Sequence, residues 1–158
     1  MVPNPGKRSL ALSAMVLLSL SSGPVFAGSV RDFMMYQFSG ADGVAPNTII
    51  HGKGGFYGAT TSGGVNNDGT IFELKGDKVL TTLYSFSGPD GSTPNSLIEG
   101  SDGKLYGTTA AGGASGQGTV FELTRAGVLT TLYTFAGPDG ASPNSIFQGS
   151  DEIGRAHV

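Results

Sequence analysis

Val79-Leu80-Thr81-Thr82-Leu83-Tyr84-Ser85-Phe86 returns, with only Ser85 exchanged, as Val128-Leu129-Thr130-Thr131-Leu132-Tyr133-Thr134-Phe135. The copies stand 49 positions apart, Val79 to Val128. Gly69-Thr70-Ile71-Phe72-Glu73-Leu74 returns in the same way as Gly118-Thr119-Val120-Phe121-Glu122-Leu123. A more worn copy begins at Tyr36-Gln37-Phe38. The pairs Asp42-Gly43, Asp90-Gly91 and Asp139-Gly140 keep register with it, as do Pro46, Pro94 and Pro143. Repetition at a period of this size is the mark of supersecondary units stacked side by side. The repeat region runs over 28–151, as units of about 36–83 and 84–132 and the start of a third, 133–151.

One unit reads as four strands. Ser96-Leu97-Ile98-Glu99 and Lys104-Leu105-Tyr106-Gly107-Thr108-Thr109 flank Gly100-Ser101-Asp102-Gly103, a hairpin signal. Thr119 to Leu123 is the third strand, and Val128 to Phe135, reached through Thr124-Arg125-Ala126-Gly127, is the fourth. Pro138-Asp139-Gly140 then closes the unit with a turn that suits proline at its first corner. In the fourth strand Leu129, Thr131, Tyr133 and Phe135 are expected on one face and Val128, Thr130, Leu132 and Thr134 on the other. Neither set is charged, which suits a sheet lying between neighbouring sheets. Outside the N-terminal apolar run no window carries a helical period. The expected fold is all-β: tandem four-stranded antiparallel units of about 49 residues forming an incomplete β-propeller. A solenoid, an open stack of sheets and other β-folds are the alternatives.

Tyr106-Gly107-Thr108-Thr109, Gly112-Gly113, Gly118-Thr119-Val120-Phe121 and Leu132-Tyr133-Thr134-Phe135 resemble the GloVer repeat over about residues 33 to 151. The first unit departs from it, with Tyr57-Gly58-Ala59-Thr60 in place of Tyr-Gly-Thr-Thr. The resemblance implies an exported bacterial protein, a choice-of-anchor tandem repeat GloVer-containing protein with propeller architecture and a C-terminal surface anchor. It implies no activity and assigns no catalytic residue.

Composition agrees with this reading. The 158 residues include 27 glycines, about 17% against a typical level of roughly 7%, with no Trp and no Cys. Charged residues are only 13% and the net charge is −3, which leaves no basic face for nucleic acid. Lys7 and Arg8 precede an apolar run from Leu10 to Leu20, and Val25-Phe26-Ala27 carries small residues where a signal peptidase reads. Residues 1–27 are therefore expected to be a signal peptide cleaved after Ala27. The run is shorter than the roughly 20 residues of a membrane span, so the product is expected to be extracellular or at the cell surface. Removing Lys7 and Arg8 leaves 7 basic against 12 acidic residues. Glu152-Ile153-Gly154-Arg155-Ala156-His157-Val158 does not continue the repeat. It resembles the translation of a short-read sequencing adapter, so 152–158 is expected to be a non-native tail on the N-terminal piece of a longer protein.

No residue set carries catalysis, a metal or a cofactor in this reading. His51 stands beside Gly52 and reads as a turn residue. Glu73 and Glu122 hold the same place in successive units, as the outward position of Phe-Glu-Leu, and not as an acid–base pair. Asp42, Asp90 and Asp139 each give a loop a single carboxylate, too few for calcium, which takes six to eight oxygens; turn chemistry explains them. Gly112-Gly113-Ala114-Ser115-Gly116-Gln117-Gly118 lacks the lysine and helix of a phosphate loop. Tyr84 and Tyr133 read as packing residues. The units show no break of the kind an enzyme makes where its acids and bases sit. The expectation is a non-catalytic surface or extracellular module for binding or adhesion. It would present the loops Ser62 to Gly69 and Ala110 to Gly118 to a glycan or protein. An exported propeller enzyme acting on polysaccharide is the alternative.

Overall fold

The computed structural model describes residues 15–17 and 34–149; the expected cleavage point after Ala27 and the 152–158 tail lie outside the described residues. Among them every regular element is a strand. Two short strands, β1 (Met15–Leu17) and β2 (Met34–Gln37), pair antiparallel. A meander of β3 (Val44–Gly52), β4 (Gly55–Ser62), β5 (Thr70–Leu74) and β6 (Leu80–Ser85) follows, each strand paired to the next. A second meander repeats it with β7 (Ser92–Glu99), β8 (Leu105–Ala111), β9 (Thr119–Leu123) and β10 (Leu129–Thr134). The fold is all-β, built of propeller-type units, and the two among the described residues do not close into a ring. The turns read from sequence are present: Gly103 N–H donates to Gly100 O at 2.9 Å, Gly127 N–H to Thr124 O at 2.9 Å, and Gly140 N–H to Gly137 O at 3.1 Å. Counted on the sheets, a repeat starts at Val44 and again at Ser92, so a unit counted from a tyrosine straddles the joint between sheets.

Strand pairing decides which residues meet. Phe56 stands opposite Leu74, Gly58 opposite Phe72 and Thr60 opposite Thr70, so these six share one face of the first sheet. Tyr57, Ala59, Ile71 and Glu73 lie on the other. In the second sheet Leu105, Gly107, Thr109, Thr119, Phe121 and Leu123 form the matching first face. The second face of one sheet packs on the first face of the next: Tyr57, Ala59 and Ile71 are buried in one cluster with Leu97, Leu105, Phe121 and Leu123. On the far side of the first sheet Phe72 and Leu74 are covered by Phe38.

The joint between sheets is the connector after β6. Phe86 is fully buried in the central cluster, its ring edge-on to Phe121 with centroids 5.3 Å apart. Phe38 meets Phe72 in the same geometry at 5.1 Å. The ring of Phe121 lies so close to β8 that a Cβ on Gly107 would stand 2.4 Å from its Cζ, which explains the glycine of Tyr-Gly-Thr-Thr. Past Phe86 the connector turns through Gly91, at φ +130°, where a Cβ would meet Thr109 at 2.6 Å. The Thr119 hydroxyl donates to Asp90 O at 3.2 Å, and in the first sheet Thr70 donates to Asp42 O at 2.9 Å. A second tie repeats alongside: the Asn47 side-chain amide donates to Pro94 O at 2.8 Å, and that of Asn95 to Pro143 O at 2.7 Å.

One sequence expectation is corrected. Strict alternation in the fourth strand fails, because the register slips between Thr131 and Tyr133 and leaves Leu132 as a bulge. Thr131 pairs with Phe121 and Tyr133 with Val120, so Tyr133 lies on the opposite face from Leu129 and Thr131. Leu83 is bulged in the same way in the first sheet, where Tyr84 pairs with Ile71 and Thr82 with Phe72. The slip turns the tyrosine and its connector toward the next sheet. Beyond β10 the second sheet has no full neighbour among the described residues, and Val128 and Leu132 are 60% and 50% exposed.

Phe86→Ala removes an aromatic ring from the centre of the joint and is expected to cost about 3–5 kcal/mol. Phe135→Ala changes the equivalent residue, over which no further sheet packs among the described residues, and in this chain is expected to cost under about 1 kcal/mol. Urea denaturation of the two variants measures both.

Candidate functional site

An antiparallel meander has two ends, and this one distributes its charge unevenly between them. The hairpin end carries the reversals at 52–55, 75–79, 100–104 and 124–128; the connector end carries the longer loops and the joints. All five described cations, Lys53, Lys75, Lys78, Lys104 and Arg125, are at the hairpin end. The connector end carries Asp42, Asp68, Asp90 and Asp139 and no cation among the described residues.

The carboxylates of the Asp-Gly turns are used internally. Asp90 Oδ1 accepts the Ser87 N–H at 2.9 Å and its other oxygen accepts the Tyr84 hydroxyl. Asp42 is held alike by Ser39 and Tyr36, and Asp139 by Ala136 and Tyr133. Tyr84 and Tyr133 thus pack, edge-on to Phe86 and Phe135 at 5.3 and 5.0 Å, and also lock the turn, a role the sequence reading missed. Burial raises the Asp42 carboxyl, but the hydrogen bonds from Tyr36 and Ser39 outweigh it and leave the group below its ordinary range. Burial, then the bond to Asp90, push the Tyr84 phenol up to about 12.

The loops expected to be the variable contact surfaces have anchored backbones. Gly64 N–H donates to Gly40 O at 2.9 Å, and Gly113 N–H to Gly88 O at 2.8 Å. Asp68 O accepts the Thr93 N–H at 2.9 Å and Gln117 O the Ser142 N–H at 2.8 Å, so both loops bond to the start of the following unit. Asn66 and Asn67 bond to Phe86 O and to Gly63 N–H. The Gly112–Gly118 segment bonds through its backbone to Gly88 O and Phe135 N–H and forms no phosphate-type cradle.

The hairpin end holds the richer chemistry. Glu73 and Glu122 are not free outward carboxylates: their side chains are 16% and 19% exposed. Glu73 accepts the Tyr57 hydroxyl at 3.0 Å and lies 3.7 Å from Lys75. Glu122 is paired with Lys104 at 3.0 Å. Arg125 reaches from the second sheet back to the first, donating to the Tyr57 hydroxyl at 2.6 Å and to Glu99 at 2.6 Å, with its guanidinium 5.0 Å from the Tyr57 ring centroid. Burial, then the bond to Glu73, raise the Tyr57 phenol, and Arg125 opposes them. His51 is exposed and stacks edge-on to Phe56 at 5.2 Å. No three His, Asp or Glu side chains converge to hold a metal ion among the described residues.

The expectation of unbroken units needs amending here. Aligned by register, His51, Glu99 and Gln148 hold one position, and Gly76 and Arg125 another. The repeat does vary, and the fold gathers these variable positions at the hairpin end, across the joint. The signal was in the sequence as a glycine exchanged for arginine, but a single exchange in a turn reads as surface drift until the sheets are stacked.

The Tyr84–Asp90 bond gives an alkaline prediction. The raised phenol binds its proton more tightly in the folded state, so its contribution is complete below the ordinary tyrosine value near 10 and is lost as pH rises toward about 12. Stability measured by urea denaturation is expected to fall between about pH 9.5 and 11.5, with a shallower slope in Tyr84→Phe.

Comparison with known proteins fits this architecture. No curated protein matches the chain. Residues 22–154 match the model of the Gloeobacter/Verrucomicrobia repeat, covering both four-stranded sheets, the joint between them and the intervening loops. The spaced Tyr-Gly, Gly-Thr-x-Phe and Leu-Tyr-x-Phe segments that build the joints lie inside that match, and the chain belongs to the Gloeobacter/Verrucomicrobia repeat family.

Proposed function

We propose that this chain is part of an exported, non-catalytic repeat protein that presents stacked β-sheets at the cell surface or outside the cell to a glycan or protein partner. The observation that carries the reading is how the polar side chains are used. Asp42, Asp90 and Asp139 are each held by a tyrosine and a backbone N–H, Glu73 by Tyr57 and Lys75, and Glu122 by Lys104. General acid–base work needs a carboxyl within reach of a substrate proton and free to exchange its own, and these groups already serve the fold. Export follows from Lys7, Arg8 and the apolar run ending at Val25-Phe26-Ala27. The varied hairpin end is the surface on which different units can present different side chains while keeping the same joint.

Incubating the full chain with a panel of insoluble polysaccharides and bacterial envelope preparations tests this directly. Co-sedimentation with at least one of them, with no new reducing ends released, is the expected result. Release of reducing ends, or failure to sediment with any of them, would overturn the reading.

A further inference from the structure

The sequence holds five Asp-Gly pairs, at 42–43, 68–69, 90–91, 102–103 and 139–140. In four of them both carboxylate oxygens are held. A tyrosine hydroxyl and a backbone N–H hold Asp42, Asp90 and Asp139. The Lys104 N–H at 3.1 Å and the Tyr106 hydroxyl at 2.9 Å hold Asp102. Asp68 differs: its carboxylate has no hydrogen-bond or ion-pair partner among the described residues.

The fold requires glycine at 69, where φ is +96° and a Cβ would stand 2.4 Å from Thr60 O. Its amide nitrogen therefore has no side chain beside it to keep it from the carboxyl of residue 68. When that carboxyl is neutral, the nitrogen can bond to Cγ. The amide proton and the carboxyl hydroxyl leave together as water, and a five-membered imide forms. Water then adds back. Where it enters at the former main-chain carbonyl, the bond from that carbon to nitrogen breaks, and the chain runs on through Cβ and Cγ. No atom is gained or lost overall. The held carboxyls resist the first step, because their oxygens are tied. The same bonds, from Tyr133 first at Asp139 and from the Lys104 N–H first at Asp102, keep those two groups below the ordinary range and so less often neutral.

We propose that Asp68-Gly69 is a modification site, at which the chain converts spontaneously to isoaspartate and so loosens the joint between its two sheets. The inference goes beyond the reading above and does not depend on it. Asp68 O accepts the Thr93 N–H at 2.9 Å and Gly69 O accepts the Phe86 N–H at 3.0 Å. One extra main-chain carbon between these two carbonyls displaces the bond that seats the Phe86 ring. The second unit supplies the comparison. Gly118 N–H donates to Gly112 O at 3.0 Å as Gly69 N–H donates to Gly63 O at 3.1 Å, but Gln117 stands where Asp68 stands. A glutamine would have to close a six-membered imide, which forms far more slowly.

The test is storage of the full chain in mildly acidic buffer at body temperature, beside a synthetic peptide of residues 66–71 that times the reaction without the fold. Electron-transfer fragmentation of proteolytic peptides then locates the isoaspartate. Asp68 is expected to carry at least about tenfold more of it than any of the four held aspartates, where two hydrogen bonds must break first. Gln117 is expected to stay unchanged. The stored chain is expected to lose protection of the Phe86 amide in proportion, and Asp68→Glu, which cannot close the five-membered ring, to keep it. Isoaspartate spread evenly over the five aspartates, or absent from Asp68 once the peptide has converted, would overturn the proposal. The wild-type chain decides this even where the variant fails to fold.

Discussion

Each sheet is held to the next by an aromatic ring that belongs, in sequence, to neither. Phe86 leaves the last strand of the first sheet and ends buried against Phe121 of the second. Most of what is distinctive in the repeat follows from seating that ring. The glycine of the Tyr-Gly pair clears the space beneath Phe121. The bulge at Leu83 turns Tyr84 and the connector off the sheet. The Tyr84–Asp90 bond and the Ser87 N–H hold the turn after the ring, so the carbonyl of Asp90 meets the Thr119 hydroxyl. A four-stranded sheet with two apolar faces cannot stand alone in water, and this connector is what lets one bury a face against its neighbour.

The joint also divides the molecule into a fixed end and a variable end. At the connector end the backbone of each loop bonds to the following unit, and glycines crowd where side chains would obstruct. At the hairpin end the turns face outward, and a residue there can change without disturbing the seated ring. Arg125 shows how such a change is used: it occupies a place held by Gly76 in the preceding unit, yet clamps two sheets through Tyr57 and Glu99.

Much of the architecture was legible in the sequence, because joints built from the same parts must recur at the same spacing. The third strand, Thr119 to Leu123, has the bounds read from its residues, and the turns at Gly100–Gly103 and Thr124–Gly127 are where their glycines placed them. The fourth strand was misread because alternation assumes an unbroken ladder; a bulge adds a residue without changing composition, and nothing in Leu-Thr-Thr-Leu-Tyr announces it. The ties from the loops at Ser62–Gly69 and Ala110–Gly118 to the following unit are backbone to backbone, which residue type does not encode. The roles of Asn47 and Asn95 were hidden likewise, since each reaches a carbonyl almost one full unit away.

Amide hydrogen exchange tests the seated ring most directly, because the chain supplies its own control. Phe86 N–H donates to Gly69 O at 3.0 Å and Phe135 N–H to Gly118 O at 3.0 Å, so the local bonds are alike. Among the described residues only the first has a whole sheet docked over it. If docking holds the joint, Phe86 and Gly91 exchange only through global unfolding, and Phe135 and Gly140 exchange faster by at least about a hundredfold. Equal protection at the two joints would show that the connector is stable by itself, and that the stack does not depend on the ring it buries.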